Sequence, residues 1–156
     1  MAKGIQAEIK QEKPFASLQQ EALLSVMRTA DRLQWQVSET LKPYGLSPTQ
    51  YNALRILRGA GEKGLPCGEI GDRMINRDPD ITRLLDRLEK RRLVERRRSA
   101  QDRRVISARI TAAGLDLLKS LDRPVGELQR QLLRDISDTR LKALIQVLGE
   151  VRQGIG

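Results

Sequence analysis

Between Asp78 and Arg109 the chain sets eleven Lys and Arg against six acids, so five of the nine net positive charges of all 156 residues fall in one short stretch. The basic residues are Arg83, Arg87, Lys90, Arg91, Arg92, Arg96, Arg97, Arg98, Arg103, Arg104 and Arg109. Clustered guanidinium groups suit a polyanionic backbone, and the planar fork of arginine fits the O6/N7 edge of guanine with two hydrogen bonds. The chemistry on offer is binding.

Bond-making chemistry has little to work with. The chain has no histidine and one cysteine, Cys67, which excludes the usual zinc constellations, a histidine-based triad and an internal disulfide. It has no glycine-rich phosphate loop either, so an enzyme reading lacks residues and no cofactor is expected. A pI near 10.3 favours nucleic acid over a membrane surface as partner. No apolar run approaches the roughly 20 residues of a membrane span, and MAKGIQAEIKQEKP lacks the apolar core of a secretory signal. Expected, then, are a cytoplasmic protein and no membrane partner.

The basic residues need elements to hold them. Asp78 and Pro79 read as N-cap and first residue of a helix in which Ile81, Leu84, Leu85 and Leu88 form a buried face. Asp80, Thr82, Arg83, Asp86, Arg87 and Lys90 are left outside. A short helix, roughly Cys67 to Met74, precedes it across a tight turn, which is helix-turn-helix organisation. Residues 93–98 read as a strand, and Val105 to Ile110 alternates as a second; the polar loop between them, Ser99 to Arg104, makes the pair a wing.

Helix flanks this unit on both sides. Ser17 to Gln20 and Ser47 to Gln50 both have capping-box spacing, the second with Pro48 at the favoured first helical position. Thr111 caps a later helix that Pro124 is expected to interrupt or kink, and Asp138 starts the last. The apolar surface of the first long helix is too broad for one stripe, so the terminal helices are expected to close on a second copy of the chain. The fold class is thus mainly α with a small β-hairpin wing. Expected divisions are 1–16, a flexible arm; 17–45, an N-terminal dimerisation helix; 46–112, the winged helix-turn-helix lobe; and 113–156, the C-terminal dimerisation helices.

The run from Leu46-Ser47-Pro48-Thr49-Gln50-Tyr51 through Ile81-Thr82-Arg83-Leu84-Leu85-Asp86-Arg87-Leu88-Glu89, Leu93-Val94-Glu95-Arg96 and Asp102-Arg103-Arg104 to Ile110-Thr111-Ala112-Ala113-Gly114 resembles the MarR family of bacterial transcriptional regulators. The likeness extends over about residues 18 to 150. It implies a homodimer with a winged lobe on each side, bound to a palindromic double-stranded DNA operator and acting as a repressor of its own or a neighbouring operon. It also implies release by a small organic effector, aromatic or anionic, or by oxidation.

By position, the resemblance places Asp80, Thr82, Arg83, Asp86, Arg87 and Lys90 in or beside the major groove, with Asp86 better suited to an internal ion pair than to a base. Arg103 would enter the minor groove, while Arg96, Arg97 and Arg104 would touch phosphates. Arg97 and Arg98 have solvated charge as their plainer reading. Asp102 would pair with a neighbour such as Arg98, or simply form the turn. Ser47, Thr49 and Gln50 would present a capped helix start to a phosphate. Met27, Trp35, Tyr44 and Tyr51 are the candidates for an effector pocket, with ordinary core as their plainer reading. Arg92 stands where many relatives carry glycine, which suggests a less sharp helix end. Cys67 has no basic residue immediately beside it in sequence and reads as structural. A competing function is an architectural winged-helix protein that binds DNA with little specificity and no effector.

Overall fold

A computed structural model describes residues 4–76 and 80–156. Seven α-helices and three short strands appear among them: α1 (Ile5–Glu8), α2 (Leu18–Leu41), α3 (Pro48–Ala60), β1 (Leu65–Pro66), α4 (Cys67–Arg73), α5 (Ile81–Lys90), β2 (Val94–Arg98), β3 (Ile106–Ile110), α6 (Ala112–Leu133) and α7 (Asp138–Ile155). None of the helices is long and apolar enough to cross a membrane.

The helix starts follow side-chain chemistry. Ser47 Oγ accepts from the Gln50 amide at 3.1 Å while Gln50 Oε1 accepts from the Ser47 amide at 3.0 Å, a complete capping box. At α2, Ser17 Oγ accepts from the Gln20 amide, but Gln20 reaches one residue further back and takes the Ala16 amide at 2.8 Å. Thr111 Oγ1 caps α6 through the Gly114 amide. For α5 the expected cap, Asp78 with Pro79 behind it, lies outside the described residues. The helix begins at Ile81, and Asp80 caps it, its Oδ1 accepting from the Arg83 amide at 3.1 Å.

At three places the structure adds to the reading from sequence. The N-terminal arm is not featureless: Ile5 is buried, and Glu8 pairs with Arg32 of α2 at 3.1 Å. An apolar side chain and one carboxylate suffice to seat α1 on its neighbour. Pro124 does not interrupt α6, which runs unbroken to Leu133. Leu121 and Val125 on either side of it are buried, so packing holds the turn that lacks a backbone donor. The wing has a third strand, β1, giving the order β1-β3-β2 with both pairs antiparallel. Two residues ending in proline carry too little alternation to be read as a strand.

The core gathers the end of α2 (Leu41), α3 (Leu54, Leu57), α4 (Ile70), α5 (Leu85, Leu88), β2 (Val94) and α6 (Leu118, Leu121). Gly71 of α4 gives α5 room: a Cβ there would stand 3.3 Å from Ile81 Cγ1. The terminal helices differ. No residue of α7 is buried, and Leu23, Met27 and Trp35 of α2 are each about 60% exposed.

Candidate nucleic-acid interface

Helix α5 buries Leu84, Leu85 and Leu88, which turns Thr82, Arg83, Arg87 and Lys90 to solvent. Arg83 makes a loose 3.4 Å pair with Asp80 across the first turn, both side chains well exposed. Asp86 and Glu89, one turn apart, face the wing instead.

The wing tip is shaped by hydrogen bonds. Ser99 N–H donates to Val105 O at 2.8 Å, and Ser99 Oγ accepts from the amides of Gln101 and Asp102. Asp102 Oδ1 accepts from the Arg104 amide at 2.9 Å, and Asp102 O accepts from Val105 N–H at 3.0 Å. Asp102 is therefore the turn former and is not paired with Arg98, because its short side chain reaches a backbone amide two residues on. Arg98, Arg103 and Arg104 are exposed and lack a carboxylate partner among the described residues.

Two other wing arginines, Arg96 and Arg109, are held closely by carboxylates, and Arg97 only loosely. Arg109 pairs with Glu95, and Arg97 reaches the same carboxylate at 3.5 Å; Arg109 leads in holding the Glu95 carboxyl below the usual carboxylate range. Arg96, expected at a phosphate, spends its guanidinium inside the protein: Nη2 lies 2.5 Å from Asp86 Oδ1 and 2.7 Å from Glu89 Oε2. The Arg96 guanidinium holds Glu89 below the ordinary carboxylate range. Sequence reasoning passed over Glu89. Its spacing of three from Asp86 on the polar face of α5 was the available signal, but the partner is a strand residue.

Arg91, also unassigned from sequence, donates to Gly45 O at 2.6 Å and Tyr44 O at 3.2 Å, tying the end of α5 to the turn after α2. Arg92 takes φ +58, the left-handed conformation. Arg92 N–H donates to Glu89 O at 2.8 Å and Leu93 N–H to Leu88 O at 3.0 Å, so α5 ends in a Schellman motif, as sharply as a glycine would end it. Thr111 Oγ1 donates to Arg92 O at 2.6 Å and fixes the turn from outside. A side chain in this conformation costs about 1–2 kcal/mol, partly offset by the greater flexibility of unfolded glycine. Arg92→Gly should therefore stabilise by about 0.5–1 kcal/mol. A lower denaturant midpoint in the variant would show that the arginine side chain contributes more than the strain costs.

The remaining candidates divide. Ser47 and Gln50 commit their oxygens to the capping box, with Thr49 beside them half-buried. The four pocket candidates do not converge: Tyr51 is buried in the core and Tyr44 packs against it, whereas Met27 and Trp35 are exposed on α2. Tyr51 carries the Arg55 guanidinium 5.9 Å from its ring centre. A cleft of about 320 Å³ does lie against α2, but Ile5, Glu8, Ser25, Arg28, Thr29, Arg32 and Leu33 line it. Cys67 is half-buried, and burial pushes its thiol up despite the opposing charge of Arg96, which the fold brings near. A half-buried thiol pushed up in this way forms less of the reactive thiolate.

A model of the MarR family matches residues 44–105, from the turn after α2 to the end of the wing loop. The regulator MhqR of Bacillus subtilis is 34% identical over 85 residues, 54% of this chain and 57% of MhqR. The repressor MdtR of the same organism is 31% identical over 102 residues, 65% of this chain and 64% of its own. The chain thus spans less than two thirds of the length of these relatives. A MarR transcription factor of Planctomyces limnophilus is 41% identical, with a TM-score of 0.68 over 87% of this chain and 98% of that one. The Staphylococcus aureus MepR–DNA complex, 20% identical with a TM-score of 0.75 over 83% and 96%, shares the fold. A winged helix-turn-helix whose likeness runs through 98% of a 41%-identical MarR protein leaves one conclusion: the chain belongs to the MarR family.

Proposed function

We propose that the chain is a DNA-binding transcriptional regulator, a repressor that acts as a homodimer on a palindromic operator. The observation that carries this reading is the division among its arginines. Arg96 and Arg109 are held by carboxylates, while Arg87, Lys90, Arg98, Arg103 and Arg104 stand exposed on α5 and the wing without a carboxylate partner among the described residues. In this reading α5 enters the major groove with Thr82, Arg83 and Arg87. Arg103 enters the minor groove, and Arg97 and Arg104 lie against phosphates. Asp80 caps the helix and steadies Arg83.

The uncovered apolar surfaces of α2 and α7 support a second copy as their cover, with 17–45 and 113–156 as dimerisation segments and 46–112 as the DNA-binding lobe. The names of MdtR, a repressor, and of the MepR–DNA complex support the reading as a DNA-binding repressor. A small aromatic or anionic effector that releases the operator would lie where the paired helices meet the winged lobe, with Met27 and Trp35 the residues left available to it.

The test is selection of duplexes from a random pool by the purified chain, followed by footprinting. Expected are two protected half-sites about 10 bp apart and affinity at least about a thousandfold above that for scrambled DNA at equal salt. A ratio near one would favour low-specificity architectural binding.

A further inference from the structure

The outer strand of the wing is joined to α5 by charge. Thr111 N–H donates to Leu93 O at 3.0 Å and Ser99 N–H to Val105 O at 2.8 Å, so the odd-numbered residues between them direct their amides at β3. The even-numbered amides of β2 therefore point to the open edge of the sheet. Such outward donors on an edge strand are groups that sheets cover. Glu89 Oε1 covers that of Arg96 at 3.0 Å, and Glu89 Oε2 takes the Arg96 side chain through Nε at 3.2 Å and Nη2 at 2.7 Å. Asp86, one turn earlier on α5, takes Nη2 at 2.5 Å. A single strand residue is gripped through backbone and side chain by two carboxylates of the recognition helix.

Resting on the function proposed above, we propose that Arg96 is a positioning residue: with Asp86 and Glu89 it sets the angle between wing and recognition helix, so that both elements meet one DNA duplex in register. At about 3.4 Å per strand residue the wing tip stands at least roughly 10 Å beyond Arg96. A swing of about 15° there displaces the tip by nearly 3 Å, about half the ~6 Å width of the minor groove. The Asp86 and Glu89 side chains are about two-fifths exposed, where ion pairs contribute little to global stability. The effect of the grip falls on geometry rather than on folding.

The probe is a duplex enriched by the wild-type chain from a random pool. Arg96→Met retains the side-chain stem, and Arg96→Lys retains the charge without the fork. Both should melt close to wild type and keep methylation protection at guanine N7 under α5. Both should lose hydroxyl-radical protection under the wing, with the ratio of specific to non-specific affinity falling about tenfold, about 1.4 kcal/mol. The inference is overturned if Arg96→Met keeps the wing footprint and instead weakens all DNA alike with a shallower salt dependence, the signature of a phosphate contact. If Arg96→Met does not fold, Glu89→Gln decides: it keeps an acceptor for the Arg96 amide but loses the charge, and an unchanged wing footprint in it overturns the inference. If the wild-type chain enriches no duplex, the regulator reading fails and takes this inference with it. Enrichment with an unaltered wing in the variants sinks the inference alone.

Discussion

Gly64→Ala is expected to destabilise the fold by about 3 kcal/mol or more. Gly64 has φ +66 and ψ −167, a region open essentially to glycine alone, where a side chain costs about 1–3 kcal/mol. The added methyl would also collide with Ala108 O and stand 3.1 Å from Arg109 Cβ, and such overpacking costs about 1–3 kcal/mol more. Gly61 supplies the control. It has nearly the same backbone, φ +67 and ψ −156, but a Cβ there meets nothing within 4 Å. Gly61→Ala should therefore show the strain without the collision. Denaturant midpoints at constant slope measure the difference. Equal losses in the two variants would mean that β3 does not approach Gly64 as closely as described.

Arg83→Ala should cost about 1–3 kcal/mol on an enriched duplex and relax the preference at one or two base pairs in each half-site. Arg83 lies in the first turn of α5, its side chain 79% exposed and restrained only by the 3.4 Å pair with Asp80. Arg104→Ala should behave differently. Its backbone amide is held by Asp102 while the side chain is exposed at the wing, where the proposed function sets it against a phosphate. Loss of one such contact weakens all sequences alike and lowers the salt slope by about one. Binding measured at several salt concentrations on matched and scrambled duplexes separates the two. The opposite pattern would exchange the roles of reader and clamp.

Much of this fold is local chemistry and could be read along the chain. The capping box at Ser47, the cap at Thr111, the stripe Leu84-Leu85-Leu88 and the alternation that ends at Ile110 all depend on residues within a few positions of one another. What escaped depends on partners that meet only after folding. Arg96 and Asp86 are 10 residues apart on different elements, so nothing local distinguishes Arg96 from its exposed neighbour Arg98. Arg92 adopts a conformation its residue type disfavours because Thr111, 19 residues on, holds its carbonyl. Pro124 sits inside a helix because the core closes around it. Within the basic stretch, charge was legible, whereas the division into free and committed arginines was not.

Strand β1 is two residues long, yet its pairing of Leu65 with Ala108 and Pro66 with Ser107 closes a loop that contains α4, α5 and β2. Closing a loop of that length costs chain entropy before its contacts repay it. The helices that would face DNA should thus gain order late and lose it together, as one cooperative unit. Amide hydrogens along α4 and α5 would then exchange in step with those of β3, at a rate set by the opening of that short clasp.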